Sequence, residues 1–490
     1  MRAAGGVAAR RGHAAVARTV RGGTGGNPSI RIASPGDPPA NAAGGSGAAA
    51  PLRPRRRARL GIVIQGLSGP CGHAVLRELV ALERRGIDFD IIALQPPHDA
   101  IAPGGAIWLA HERTHHAPPI GAAALRALLR AVRRHGPRVL AAVRDVAWHG
   151  RDRPLQAVRD LAMLPVAMHV AEFGERRGIT HWHAHRTDAS SALCWYLTRV
   201  CGTRFSIAVH GETTPPGRLL AARLDDAAFT VACSDRIRRR VQGAVSAGAA
   251  GRVHLNRHGP DLRILTRAAG MATRPPRPAG VPERWISVGR LTPCEGHDDL
   301  IALAGDLIAH GRELSLQIIG CGPARAALQH LIHQRELEHH VTLTGPLAFD
   351  RTVGRLLASD IFCLLPRAVP GQPHDAIPPA IVEAMALGLP VISRSVGAIP
   401  ELVEDGVSGV LLDTDPDRFE EVVHELDRLL DDECALARMA AVARRRVDGL
   451  LLDLQAGTDE LIGLFERCLS DEASGVTPGV PRGAVRPVWR

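Results

Sequence analysis

The sequence predicts an α/β protein made of two doubly wound, Rossmann-like domains. Short buried apolar runs recur along the chain, at Leu60–Gln65, Phe89–Leu94, Phe205–Val209 and Leu314–Ile319, and helical periodicity follows several of them. That alternation is the pattern of βα units and a parallel sheet. Each half of the chain also has a glycine-rich turn between a strand and a helix, at Gly66–His73 and at Gly320–Pro323. Such folds bind phosphate at that position, although a tight turn alone would also use glycine. Between the halves lies a proline-rich connector, Arg274-Pro-Pro-Arg-Pro-Ala-Gly280, and 490 residues suffice for two domains with extensions.

Taken in order, residues 1–57 read as a disordered tail. They are rich in Gly, Ala, Pro and Arg with Asp37 as the one acid, so they cannot bury enough apolar surface to order themselves. An Arg-rich, acid-poor start also describes an organelle transit peptide. No secretory apolar segment and no run of about 18 apolar residues is present, so no membrane span is expected. Leu60–Gln65 opens the first domain as a buried parallel strand, followed by the glycine loop containing Gly69 and Gly72. Ala74–Arg85 then carries Val75, Leu79 and Leu82 on one helical face.

Ala122–Trp148 is studded with Arg and has Leu125, Leu128, Leu129 and Val132 at helical spacing. It reads as an ordinary surface helix or as one that lies on an anionic membrane. His181-Trp-His-Ala-His185 would put three His on one strand face, which permits a zinc site, but no Cys or acid completes it nearby. No metal is therefore assigned. Phe205–Val209 ends in His210, and a side chain at that end of a strand in an open α/β sheet faces the crevice. Ser234 is placed to cap a helix rich in Arg.

In the second half, Trp285-Ile-Ser-Val-Gly-Arg-Leu291 is a strand running into a Gly-Arg turn, and Arg290 suits bidentate phosphate binding. Gly320 and Gly322 turn the next strand into a helix. The segment with most chemistry is Gln372–Gly388. Pro378 and Pro379 stand where a helix begins, Ala380–Leu387 are good helix formers, and Gly388 suits the left-handed position past the end. Asp375 and Glu383 frame the helix start in an Asp-x7-Glu spacing. An ionised carboxylate only accepts hydrogen bonds, so Glu383 can take those of a ribose diol while Asp375 reaches a sugar. The same pair also reads as a dipole-favoured acid plus a solvated Glu.

The residues from Asp375 to Ser393, with Gly397-Ala-Ile-Pro-Glu-Leu-Val-Glu-Asp-Gly406, resemble the E-x7-E region of retaining family-4 glycosyltransferases. They are nearest the colanic-acid and exopolysaccharide branch, which carries Asp in place of the first Glu. The resemblance extends over roughly residues 59–469. It implies the GT-B architecture, two Rossmann-like domains facing across a cleft. It also implies transfer of a sugar from a nucleoside diphosphate sugar to a glycan or lipid-linked acceptor, without a cofactor or metal. Arg290 would neutralise the diphosphate beside the glycine loops, Glu383 would hold the ribose, and His210 and Asp375 the donor sugar, with Ile377 and Pro378 beside them. Two departures stand out. Leu67-Ser-Gly-Pro-Cys-Gly-His73 replaces the usual Leu-Ser-Glu-Thr-Phe. Glu295 replaces the Lys of the usual Gly-Arg-Leu-x-x-x-Lys-Gly, leaving Arg367 or an Arg of the first domain to supply the missing charge, or Glu295 to point to solvent.

These readings divide the chain into the tail 1–57, an acceptor-side domain 58–270, a nucleotide-sugar domain 271–449, a helix 450–470 that packs back on the first domain, and a disordered end 471–490. All 60 basic residues are Arg and the formal charge is +10, which favours nucleotide diphosphates or an anionic lipid surface. No aromatic-interleaved basic motif supports nucleic-acid binding. Nine unpatterned Cys fit reduced thiols. The expected location is the cytoplasm, free or peripheral on the inner face of the cell membrane. The rival readings are a nucleotide-sugar binder without transfer and a nucleotide-sugar epimerase.

Overall fold

The computed structural model describes residues 59–66, 69–95, 112–118, 120–211, 217–257, 259–271, 281–369, 377–412, 419–450 and 454–473. Within them the chain forms two sheets in which every strand pairing is parallel. The first lobe holds β1 (Arg59–Ile64), β2 (Phe89–Ala93), β3 (Thr114–His116), β4 (Ile179–Ala184), β5 (Arg204–Val209), β6 (Thr230–Ala232) and β7 (Val253–Leu255). They run in the order β3-β2-β1-β4-β5-β6-β7. The second lobe holds β8 (Glu283–Val288), β9 (Leu314–Ile319), β10 (Val341–Gly345), β11 (Ile361–Cys363), β12 (Val391–Arg394) and β13 (Val410–Leu412). Their order is β10-β9-β8-β11-β12-β13. Each sheet grows outward on one side of its first strand and then on the other, which is doubly wound topology. Each lobe is thus a doubly wound, Rossmann-like α/β unit, as the sequence predicts.

Burial explains the apolar runs. β1 is covered on both faces, as parallel strands are, so it reads as continuous hydrophobicity rather than alternation. On one face, Leu60, Ile62, Leu79 and Phe229 pack with Leu461, Leu464 and Phe465 of the helix Leu454–Ala473. That last helix is also tied to the first lobe by Arg204, whose Nη1 donates to Cys468 O (2.8 Å), and by Asn256, whose Nδ2 donates to Gly457 O (2.8 Å). On the other face, Trp182 of β4 lies where a Cβ on either Gly61 or Gly174 would collide with its ring. In the second lobe, Trp285, Leu303 and Leu426 fill one face, and Ile286, Ile381 and Val447 the other.

Several expectations are corrected here. Gly69 and Gly72 are not in a loop: the helix begins at Gly69 and runs to Arg84, with Pro70 in its first turn, where a missing N–H costs nothing. The Arg-studded helix Ala122–His149 is two helices merged across a kink at His135, two residues before Pro137. The strands β3 and β13, each three residues long at a sheet edge, and the helix Glu433–Gly449 were not anticipated. Among the described residues no helix is long and apolar enough to cross a membrane. Of the expected tails, residues 1–57 fall outside the described residues, whereas 471–490 is corrected at its start: the helix Leu454–Ala473 continues to 473, and only 474–490 lie outside the described residues.

Candidate functional site

In an open doubly wound sheet, ligands sit beyond the carboxyl ends of the strands where the order reverses. Here the reversal lies between β1 and β4 in one lobe and between β8 and β11 in the other. The chain at these four ends is Gln65-Gly66, His185, Gly289-Arg290 and Leu364-Leu365. The lobes meet at this level. Arg77 of the helix Gly69–Arg84 places Nη1 3.4 Å from Oε1 of Glu383 in the helix Pro379–Ala386. Glu401 of the second lobe accepts from the backbone N–H of Asp235 (2.8 Å) and Arg236 (2.6 Å) at the start of the helix Asp235–Gln242. Ser234 caps the same helix end through Ile237 N.

Glu383 is only 6 % exposed. Burial pushes its carboxyl above the usual carboxylate range, and the Arg77 cation opposes that rise. The helix carrying it starts with Pro378 at the N-cap and Pro379 behind it, and Gly388 takes φ +73° past its end. Both prolines lack an N–H, and Ile381 N already donates to Pro378 O (3.1 Å), so this helix end offers few free amides to an anion. Ile377 is half-buried against the second-lobe core. Asp375 lies outside the described residues.

The Gly-Arg turn is held from behind. Gly289 N donates to Ile319 O (3.1 Å) and Leu291 N to Cys321 O (2.9 Å). A side chain on Gly320 would run into Gly289 O, and one on Gly322 into Leu291 O. These two glycines therefore let the turns after β8 and β9 press together, a packing role that positions Arg290. Glu295 does not point to solvent. Its Oε1 lies 3.6 Å from Nε of Arg290, and burial raises its carboxyl while Arg290 opposes that rise. Nor is Arg367 a spare cation: it is bound by Asp298 and Asp299 and donates Nε to Pro293 O (2.8 Å). His297, 1 % exposed and close behind Gly289, is pushed down to about 4 by burial and is neutral at physiological pH.

From the first lobe, His210 follows β5 and stacks on His185, with ring centroids 4.6 Å apart and planes 14° apart. Nε2 of His185 lies 3.5 Å from Oε2 of Glu78, the neighbour of Arg77. His181 and His183 share the Ser206 hydroxyl, each at 2.8 Å, and burial pushes His181 down to about 3. The alternating histidines thus form a buried hydrogen-bonded row. Among the described residues no group of three His, Cys, Asp or Glu is arranged to hold a metal.

The geometry thus brings Glu383 to the crevice with Arg77, places Arg290 beside Glu295, and stacks His210 on His185. Sequence reasoning missed Arg77, Glu78, Phe349 and Glu401. The Arg77 guanidinium lies 5.7 Å over the Phe349 ring, and Phe349 opens the helix Phe349–Leu357.

Residues 276–446 match the family described as Glycosyl transferases group 1. The chain is 27 % identical to the alpha-D-kanosaminyltransferase of Streptomyces kanamyceticus over 308 residues, 58 % of this chain and 76 % of that protein. It is 36 % identical over 163 residues to the putative colanic acid biosynthesis glycosyltransferase WcaL of Salmonella typhimurium, covering 33 % of this chain and 38 % of that one. The chain thus spans about two fifths of that second relative. Among solved structures, the sucrose-phosphate synthase of Thermosynechococcus elongatus superposes with a TM-score of 0.62 at 17 % identity, over 84 % of this chain and all of that one. Alr3699/HepE of Anabaena, solved in complex with UDP-glucose, gives 0.57 at 16 % identity over 84 % of this chain and 99 % of that one. The match to the group 1 family thus falls on the second lobe, and the structural likeness over 84 % of the chain shows a GT-B fold.

Proposed function

We propose that the chain is a retaining glycosyltransferase that moves a hexose from a nucleoside diphosphate sugar to a glycan or lipid-linked acceptor, in exopolysaccharide or cell-envelope glycan synthesis. The observation that carries this reading is Glu383, a buried carboxylate presented to the crevice from the second turn of a helix within the stretch that matches the group 1 family. A ribose diol donates two hydrogen bonds and a carboxylate only accepts, so the two match. Relatives named for colanic acid and amylovoran biosynthesis support the acceptor class.

In this reading Arg290 stabilises the charge that develops on the leaving diphosphate, helped by the backbone amides of the turns. Gly320 and Gly322 hold that turn in place, and Gly69 and Gly72 begin the helix that carries Arg77. Asp375, His210, Ile377 and Pro378 bound the donor sugar. No metal is required, because Arg290 and the amides meet the diphosphate. The acceptor side rests on an anionic membrane surface, where Leu125, Leu129 and Val132 form an exposed apolar stripe beside the exposed Arg126 and Arg133.

A thermal-shift titration with UDP, GDP and their sugars tests the reading. A ligand at 100 times its dissociation constant adds about 2.7 kcal/mol of stability. Stabilisation by one nucleotide, followed by sugar transfer rather than epimerisation, supports it. Stabilisation by none overturns it.

A further inference from the structure

We propose that Arg77 is a donor-recognition residue contributed by the first lobe: it positions the Glu383 carboxylate for the ribose diol, so that reading the ribose requires both lobes. This rests on the reading of Glu383 as the ribose acceptor.

Three observations carry it. First, among the described residues Arg77 is the side chain paired with Glu383, at 3.4 Å and from the opposite lobe. A carboxylate this buried needs a counter-charge to remain a good acceptor. Second, the cations about the Gly-Arg turn are committed to the second lobe's own acids. Arg290 faces Glu295, Arg367 faces Asp298 and Asp299, and Arg394 faces Asp299. The compensating charge for Glu383 therefore comes across the crevice. Third, Arg77 is not a loosely held surface cation. Its guanidinium lies over Phe349 at 5.7 Å, and its side chain is one third exposed. A planar cation held against an aromatic face has its donors aimed in fixed directions. A carboxylate offers about four acceptor positions and Arg77 uses one of them, which leaves the rest for hydroxyl donors.

Arg77 acts through Glu383, so its test needs a readout that a loss of interlobe packing would not move. That readout is discrimination between ribose and 2′-deoxyribose. Binding of UDP, dUDP, GDP, dGDP and inorganic pyrophosphate is measured by calorimetry for the wild type, Arg77→Ala, Arg77→Lys and Glu383→Gln. The wild type is expected to prefer the ribonucleotide by about tenfold, the effect of one hydrogen bond to a charged group. Arg77→Ala should bring that ratio close to one while leaving pyrophosphate affinity unchanged. Arg77→Lys, which keeps the charge but not the planar stack, should retain part of the ratio. If Arg77→Ala keeps the full ratio, Arg77 does not position Glu383 and the inference falls. If it binds UDP or GDP more tightly than the wild type, Arg77 is a plug in the empty cleft and the inference also falls. If the wild type binds neither nucleotide, the nucleotide-sugar reading itself falls, an outcome visible before any variant is compared.

Discussion

Glu295 Oε1 stands 3.6 Å from Arg290 Nε, at the position where the Gly-Arg-Leu-x-x-x-Lys-Gly pattern has a second cation. The turn that would face a diphosphate with two positive charges instead carries a self-neutralised pair. Two unit charges 4 Å apart interact by about 4 kcal/mol at a surface-like dielectric, but with the Arg290 side chain 43 % exposed the pair keeps roughly 1 kcal/mol after screening and side-chain ordering. Glu295→Gln should thus free Arg290 and tighten UDP or GDP binding by about fivefold. Glu295→Lys should tighten it further and steepen the loss of affinity with salt. Calorimetry at two ionic strengths checks both. Unchanged affinity in both variants would mean that this turn does not face the phosphates.

How far the sequence disclosed this arrangement depends on how local each feature is. The helix at Pro379–Ala386 was legible because its signals are contiguous: paired prolines, good helix formers, then Gly388 at positive φ. The Gly-Arg turn was legible for the same reason. Arg77 and Glu383 are 306 positions apart, and no pattern within either helix announces that the lobes bring them together. Glu401 is similar, since it caps a helix that it does not precede in the chain. β3 and β13 are too short for a period of two to register. Gly69 and Gly72 resemble loop residues because glycine and proline usually punctuate, although Pro70 also fits a first helical turn.

Glu401 joins the lobes through two backbone donors and lies 3.6 Å from Arg257. Its carboxylate satisfies N–H groups that a helix start leaves open, and it sits at the positive end of the helix dipole. Glu401→Ala should cost about 0.5–2 kcal/mol, the range for loss of an N-terminal cap. Urea unfolding of the parent and variant measures this. A midpoint unmoved by the substitution would show that water replaces the cap at no cost.

The exposed stripe on the helix Ala122–His149 predicts vesicle binding. Leu129 is 62 % exposed and Leu140 is 71 % exposed, large apolar groups on a face rich in Arg. At the end of that helix Trp148 lies under Arg151, 4.1 Å from ring to guanidinium, and the following helix Pro154–Ala162 also exposes Leu155 and Val158. Binding to vesicles that contain anionic lipid should weaken as salt rises, because cation attraction is screened within about 10 Å at 0.1 M. Leu129→Asp should weaken it further at every salt concentration. Equal partitioning onto neutral and anionic vesicles would remove the electrostatic part of the argument, and an unaffected Leu129→Asp the apolar part.

Glu383 is predicted to set stability and binding against each other. Burial raises its folded-state pKa above the ordinary glutamate value, with Arg77 opposing the rise. Between those two values the folded chain holds a proton that the unfolded chain has lost, so stability falls as pH increases. The contribution is complete below the ordinary value of about 4.3 and is lost as pH rises through the raised one. Gln is neutral at every pH and nearly isosteric, so it removes this dependence. The melting temperature of Glu383→Gln relative to the parent should therefore increase from pH 4 to neutral pH. Arg77, one third exposed, remains solvated when its partner is gone. Nucleotide binding should move the other way. Loss of hydrogen bonds to a charged group costs about 1.5–3 kcal/mol, a roughly 10- to 150-fold drop in UDP or GDP affinity. Melting curves across pH and calorimetry near neutrality test the two halves separately. A variant whose melting temperature tracks the parent at every pH would show that the carboxylate is not held in the raised range. One with parental nucleotide affinity would show that the ribose is bound elsewhere.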